Sequence, residues 1–182
     1  MKIRLAAPLQ YDSVVDGEGI RTVIWTQGCS HNCKGCHNPE THDFNGGFLI
    51  DIEEIKKELA DLKFQDGITL TGGDPFMQPE ACLEIAKYAK EIGLNVWSYT
   101  GFTFDQLKII SRTKPIIMEL LKNIDVLIDG KFIIEEKSYD VAYRGSKNQR
   151  IIDVRKTLEN NEIVILEKYV EKKVQIREYL FV

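Results

Sequence analysis

An α/β fold built on a mainly parallel sheet is what this sequence predicts, and two observations carry the prediction. Short apolar runs of strand type alternate with stretches of helical periodicity between residues 22 and 129, the pattern of strands joined by crossover helices. The residues of unusual type fall directly after those runs, at the ends of parallel strands where ligands gather.

The elements follow in order. TVIWT at residues 22–26 is a β-branched and aromatic strand that delivers the chain to Gln27 and Gly28. Residues 51–64 set Ile52, Ile55, Leu59 and Leu62 three and four apart, one apolar helical face behind a capping aspartate. A second strand at 67–70 runs into TGGDP, and a second helix at 80–92 is closed by Gly93. A third strand occupies 94–99. The helical region 104–121 is broken near Pro115, whose ring removes a donor and clashes with the preceding turn. VLID at 126–129 is the fourth strand. Beyond residue 130 the pattern weakens: 150–154 and 163–166 read as strands, and EKKVQIREYLFV at 171–182 alternates polar and apolar residues as one more. No repeat, low-complexity tract or linker interrupts the chain, so residues 1–182 are expected to be one domain.

At 182 residues, 43% hydrophobic and 29% charged, the chain has enough material for one substantial core. A net charge of −4 argues against a general nucleic-acid-binding surface. No apolar run approaches the roughly eighteen residues of a membrane span, and the N-terminus lacks the pattern of a secretory signal. A cytoplasmic protein without membrane or nucleic-acid partners is expected. In that reducing compartment clustered cysteines bind metal or do redox chemistry more often than they pair.

Three of the four cysteines fall in GCSHNCKGCHNPE, as Cys29, Cys33 and Cys36 in a C-x3-C-x2-C spacing. A structural zinc site needs four ligands, commonly in two knuckles, and here there is one group of three. A bacterial ferredoxin run needs a fourth cysteine close behind, and none follows. Cys82 lies in the second predicted helix beside Leu83 and Ile85, the setting of a small buried hydrophobe. Three thiolates on a [4Fe-4S] cube hold three irons and leave the fourth open to a ligand.

With TGGDP (Thr71, Gly72, Gly73, Asp74, Pro75) after the second strand, this motif resembles the radical S-adenosylmethionine superfamily. The order VDGEGIRTVIWTQGC, CKGCHNPETHDF, TGGDPF, IDGKF and YRGSKNQRIIDV, across residues 15–154, is similar to the glycyl-radical enzyme activases, and among them to the family that serves the anaerobic ribonucleoside-triphosphate reductase. The resemblance implies two cofactors, a [4Fe-4S] cluster and S-adenosyl-L-methionine. It implies two partners, the large subunit of that reductase and a reducing partner such as flavodoxin. The reaction it implies is reductive cleavage of S-adenosylmethionine to a 5′-deoxyadenosyl radical, which takes a hydrogen atom from a backbone glycine of the reductase. The alternatives are activation of another glycyl-radical enzyme such as pyruvate formate-lyase, a small-molecule reaction of the 7-carboxy-7-deazaguanine synthase type, or a non-enzymatic metal protein. A complete (β/α)8 barrel needs more than about 200 residues, so a partial, TIM-like barrel of the radical SAM type is expected, open enough to admit a protein loop.

The same resemblance distributes roles. Cys29, Cys33 and Cys36 hold the cluster. Gly35 allows a close approach beside Cys36 and His37, and His37 lies against the cofactor. Gly72 and Gly73, lacking side chains, let carbonyls accept from the cofactor's amino group, with Asp74 beside them; the plain alternative is a strand-to-helix turn. Asp129, Gly130 and Lys131 contact cofactor or a cation, or else form a solvated turn. Tyr99-Thr100 stands where related activases carry Asp-Thr, a departure that weighs against a bound monovalent cation. His31 faces solvent or supports the ligands from behind, and His42 has no assigned role. Arg144, Ser146, Asn148, Gln149 and Arg150 are read as a ligand or partner contact, and residues 16–20 as a structural turn beside the open mouth.

Overall fold

The computed structural model describes residues 1–169. Among these residues eight strands form one mixed sheet: β1 (Lys2–Leu5), β2 (Gln10–Ser13), β3 (Arg21–Thr26), β4 (Phe48–Asp51), β5 (Gly67–Gly72), β6 (Asn95–Tyr99), β7 (Val126–Asp129) and β8 (Arg150–Asp153). Five α-helices among the same residues accompany them: α1 (Ile52–Ala60), α2 (Pro79–Glu91), α3 (Phe104–Ile110), α4 (Ile116–Lys122) and α5 (Val154–Asn160). The strand order is β4-β1-β3-β5-β6-β7-β8, with β2 also paired to β3. The centre, β3-β5-β6-β7, is parallel; β1, β2, β4 and β8 join antiparallel. Among the described residues the sheet is open between β4 and β8.

The four parallel strands are among those the sequence announces, because strands covered on both faces are rich in β-branched, aromatic and apolar residues. On one face Ile24, Ile68, Leu70, Val96 and Leu127 pack with α1 to α4 in the main core. On the other, Trp97, Ile128 and Ile151 pack with Tyr99, Tyr143 and Tyr169. Tyr143 and Tyr169 meet the Trp97 ring edge-on at 5.3 and 6.0 Å. At the amino ends of the strands Arg21 is fully buried, its guanidinium donating to Thr69 Oγ1 (2.7 Å) and to the Glu18 carbonyl (2.9 Å), 5.2 Å from the Trp97 ring centre. Sequence reasoning gave this arginine no role.

Helix boundaries follow local chemistry. Asp51 accepts from the Glu53 N–H and starts α1, and Thr103 and Gln106 form a reciprocal capping box on α3. The helical region before β7 is two helices, parted at residues 111–115 ahead of Ile116. The predicted strand at 163–166 is not one: only an Ile152–Ile165 bridge ties it to β8, flanked by backbone bonds at Asp153 and Leu166. Strands β1, β2 and β4 went unread because they owe their pairing to distant segments and β2 and β4 have no fully buried face. The predicted strand at 171–182 lies outside the described residues. No helix among the described residues is long and apolar enough to cross a membrane.

Candidate iron–sulfur and cofactor site

Four loops meet at the carboxyl ends of β3, β5, β6 and β7. The first is closed on itself. Gly28 and Cys29 donate backbone N–H groups to the Thr41 and His42 carbonyls (2.8 and 3.1 Å), and the Gln27 amide reaches the Glu40 and Asp43 carbonyls (3.1 and 2.6 Å). The bonds join the two ends of residues 27–43, so the cysteines ride on a compact loop instead of a free one. Within it the Cys36 N–H bonds the Cys33 carbonyl (3.1 Å), and Asn32 and Gly35 both take positive φ.

Cys29, Cys33 and Cys36 are unpaired and partly accessible. They line a hollow of about 110 Å³ together with Gly72, Gly73, Thr100 and Gly130. Burial pushes the Cys29 and Cys33 thiols up, opposed at Cys29 by the backbone N–H of His31 and at Cys33 by that of Phe132. Loading metal there must displace thiol protons, and those N–H groups already favour the thiolate. Cys82 is fully buried in the main core, its thiol pushed far up by desolvation. Among the described residues no three His, Cys, Asp or Glu side chains converge as ligands of a single ion do. Three soft donors spread around a hollow fit a cluster better than a mononuclear zinc.

A second hollow of about 340 Å³ adjoins the first, sharing Cys36, Thr71, Tyr99, Phe132 and Gln149. His37 and Phe132 line it with ring centres 4.8 Å apart, and Val15, 69% exposed, stands on its wall. A larger hollow of about 540 Å³, between Phe76, Phe102, Leu107 and Ile116, holds no cysteine or histidine.

The other residues singled out from the sequence come to the same end of the sheet, with several in different work from that expected. Gly72 and Gly73 border the cluster hollow, and their bare backbones are pressed against β3. A Cβ on Gly72 would lie 2.5 Å from the Thr26 carbonyl oxygen, and one on Gly73 2.4 Å from that of Gly28. Gly73 and Asp74 donate to these carbonyls at 2.7 and 2.9 Å. Gly35 approaches Ile134, whose Cδ1 would be 2.6 Å from an added Cβ. Asp74 is buried, its carboxylate engaged by protein donors. Of the two places expected for His31, the ring takes the one behind the ligands: its side chain is 7% exposed and lies 2.7 Å from the Asp74 carboxylate. His42, left without a role, lines the cluster hollow.

Asp129 is 1% exposed, accepts from the Phe104 N–H (2.7 Å) and takes both prongs of the Arg150 guanidinium (2.9 and 2.5 Å). Lys131 is exposed. The segment 144–150, expected to contact ligand or partner, braces the loop after β7 and also lines the second hollow through Arg144, Gly145 and Gln149. Gln149 donates to the Gly130 carbonyl (3.0 Å) and accepts from the Gly145 and Ser146 N–H groups (2.9 and 3.2 Å). Asn148 donates to the Lys131 carbonyl (2.8 Å), and Ser146 accepts from the Ile133 N–H (3.2 Å). A polar run can satisfy a neighbouring loop and line a hollow at once, and the two kinds of work look the same in sequence. Residues 16–20 form the expected turn, tied by the Thr69 hydroxyl to the Asp16 carbonyl (2.7 Å) and by Glu18 to Lys168 and Tyr169 (2.5 and 2.7 Å).

Residues 15–152 match the family described as "4Fe-4S single cluster domain". The anaerobic ribonucleoside-triphosphate reductase-activating protein of Haemophilus influenzae is 37% identical over 153 residues, 79% of this chain and 95% of that protein. Proteins of the same name from Vibrio cholerae and Escherichia coli K12 are 37% and 34% identical over 76% and 78% of this chain and 90% and 94% of theirs. The crystal structure of QueE from Escherichia coli overlays with a TM-score of 0.49 at 14% identity, over 56% of this chain and 53% of that one, too loose a likeness to carry weight. On the sequence relationships over most of its length, this chain belongs to the family of anaerobic ribonucleoside-triphosphate reductase-activating proteins.

Proposed function

We propose that this protein is a radical S-adenosylmethionine enzyme that installs a glycyl radical on the large subunit of the anaerobic ribonucleoside-triphosphate reductase. The observation that carries the reading is the pair of adjoining hollows: one rimmed by three cysteines and the Gly72–Gly73 backbone, the other by His37, Phe132 and Tyr99. When bound, the cluster supplies one electron that cleaves S-adenosylmethionine to methionine and a 5′-deoxyadenosyl radical, which takes a hydrogen atom from the glycine Cα. Everything else is positioning.

Cys29, Cys33 and Cys36 would hold three irons, helped by the His31 and Phe132 N–H groups. The carbonyls of Gly72 and Gly73 suit an ammonium donor, and the exposed Lys131 suits a carboxylate. His37 and Phe132 offer aromatic faces to a purine, with Gly35 letting their loops meet. Asp129 and Gly130 act through the loop they anchor, since Arg150 and Phe104 already engage the Asp129 carboxylate. The sheet is read as the crescent of a partial barrel, with the gap between β4 and β8 as the side from which a glycine-bearing loop enters. A flavodoxin-type donor in the cytoplasm would deliver the electron.

The test is anaerobic. Reconstituted, reduced protein is incubated with S-adenosylmethionine and 5′-deoxyadenosine is followed by chromatography, with Cys33→Ala as control. Addition of the reductase large subunit should then yield a glycyl-radical doublet in electron paramagnetic resonance. A protein that holds iron and sulfide, is reduced and still forms no deoxyadenosine rules the reading out. Deoxyadenosine formation with a doublet only on a different glycyl-radical enzyme rules out the partner alone.

A further inference from the structure

The Asp74 carboxylate collects donors from three loops. Its Oδ1 accepts from the Phe76 N–H (2.9 Å); its Oδ2 accepts from the Gly101 N–H (3.0 Å) and lies 2.7 Å from His31 Nε2. The Thr100 hydroxyl sits 2.9 Å from Oδ2 and 3.2 Å from Oδ1. A carboxylate has about four acceptor positions, and these donors take them all. With the side chain 1% exposed, none is left for a ligand's ammonium group.

His31 is the other half of the arrangement. It sits between Cys29 and Cys33 in the chain and lines the cluster hollow with them. Its ring meets Phe102 edge-on, 4.5 Å between centres at 76°, and lies so close to Gly101 that a Cβ there would be 2.3 Å from Cδ2. Ring and backbone therefore form one path from the ends of β5 and β6 to the cysteine loop.

We propose that Asp74 and His31 are a positioning pair for the cysteine loop: Asp74 clamps the His31 ring, and the clamped residue fixes the backbone between Cys29 and Cys33, so that Asp74 acts through His31 and not on the bound cofactor. The proposal rests on the cysteines holding a cluster. Groups that orient metal ligands in this way change metal affinity by about 10- to 100-fold when removed.

The experiment measures iron release to a chelator from anaerobically reconstituted protein, together with the cluster's reduction potential and equilibrium binding of S-adenosylmethionine. His31→Ala and Asp74→Asn should each speed iron release by about 10-fold or more. The double variant should be no faster than the faster single one, because both remove the same link. His31→Gln, which can still donate to Asp74, should recover much of the retention. The potential should shift together in the two single variants, and S-adenosylmethionine binding to the loaded fraction should stay as in the wild type. Should Asp74→Asn prove misfolded by circular dichroism, the His31 pair of variants decides alone. Iron release at the wild-type rate in a folded His31→Ala variant overturns the positioning role. So does an Asp74→Asn variant that keeps its cluster and loses S-adenosylmethionine affinity. A wild type that takes up no iron and sulfide overturns the cluster reading instead, and the positioning role with it.

Discussion

Gly73→Ala puts the packing of the strand ends to a direct test. The new Cβ would lie 2.4 Å from the Gly28 carbonyl oxygen and 2.8 Å from its carbon, where ordinary contact begins at 3.4 Å, so the two backbones must part by about 1 Å. They are joined at this point by the Asp74 N–H to Gly28 bond, 2.9 Å, and by the Gly73 N–H to Thr26 bond, 2.7 Å. Overpacking against unyielding backbone costs about 1–3 kcal/mol, and a hydrogen bond stretched past use about 1 more. A total of about 3 kcal/mol lowers Tm by about 6–12 °C in a chain of this size. Because Gly28 precedes Cys29, cluster retention should fall as well. Thermal unfolding of the apo protein and iron content after anaerobic reconstitution measure the two effects. Gly93→Ala is the control: φ is +86° but nothing lies within 4 Å, so it carries backbone strain of about 1–2 kcal/mol and leaves iron content untouched. If Gly73→Ala matches the wild type in Tm and iron content, TGGDP is an ordinary turn and the close approach to Gly28 has no consequence.

Other outcomes follow from the same contacts. Cys82→Ala should keep full iron content, while Ala at Cys29, Cys33 or Cys36 should abolish it, because Cys82 is in the core and away from the hollow; iron and sulfide analysis decides. Arg150→Ala strips the forked partner from a buried carboxylate. Breaking a fully buried pair costs about 3–5 kcal/mol, and with the arginine side chain 34% exposed the loss should be nearer 2, read by denaturant unfolding. Glu18 is held below the usual carboxylate range first by the Lys168 hydrogen bond and then by that of Tyr169. A lowered folded-state pKa contributes stability that is present above the unfolded value and lost as pH falls through the folded one. Glu18→Gln should therefore lower stability slightly at neutral pH and leave it unchanged at strongly acidic pH, with the neutral-pH difference shrinking in high salt; Tm against pH checks it.

What could be read directly was whatever obeys a short-range rule. The parallel strands at β3, β5, β6 and β7 each hold a short β-branched, aromatic or apolar run because both faces are covered, and Asp51, Thr103 and Pro115 punctuate helices by chemistry acting within a turn. The cysteine spacing is likewise local, and the ends of parallel strands share one edge, where Cys29, Gly72, Tyr99 and Gly130 line one hollow. The edges were illegible for the opposite reason. β1 and β2 owe their strand character to pairing with β3, and residues 163–166 touch β8 at one bridge despite a strand-like composition.

Sequence by itself determined that three thiols share one loop and that glycines and carboxylates stand at the strand ends facing it. Tertiary structure decided which of those groups remain open to a ligand. Asp74 and Asp129 read as cofactor contacts, yet both carboxylates are buried and met by His31 and by Arg150, partners 43 and 21 residues away in the chain. A buried charge must find its donors within about 3 Å, and only the folded chain settles whether those donors come from the protein or from a ligand.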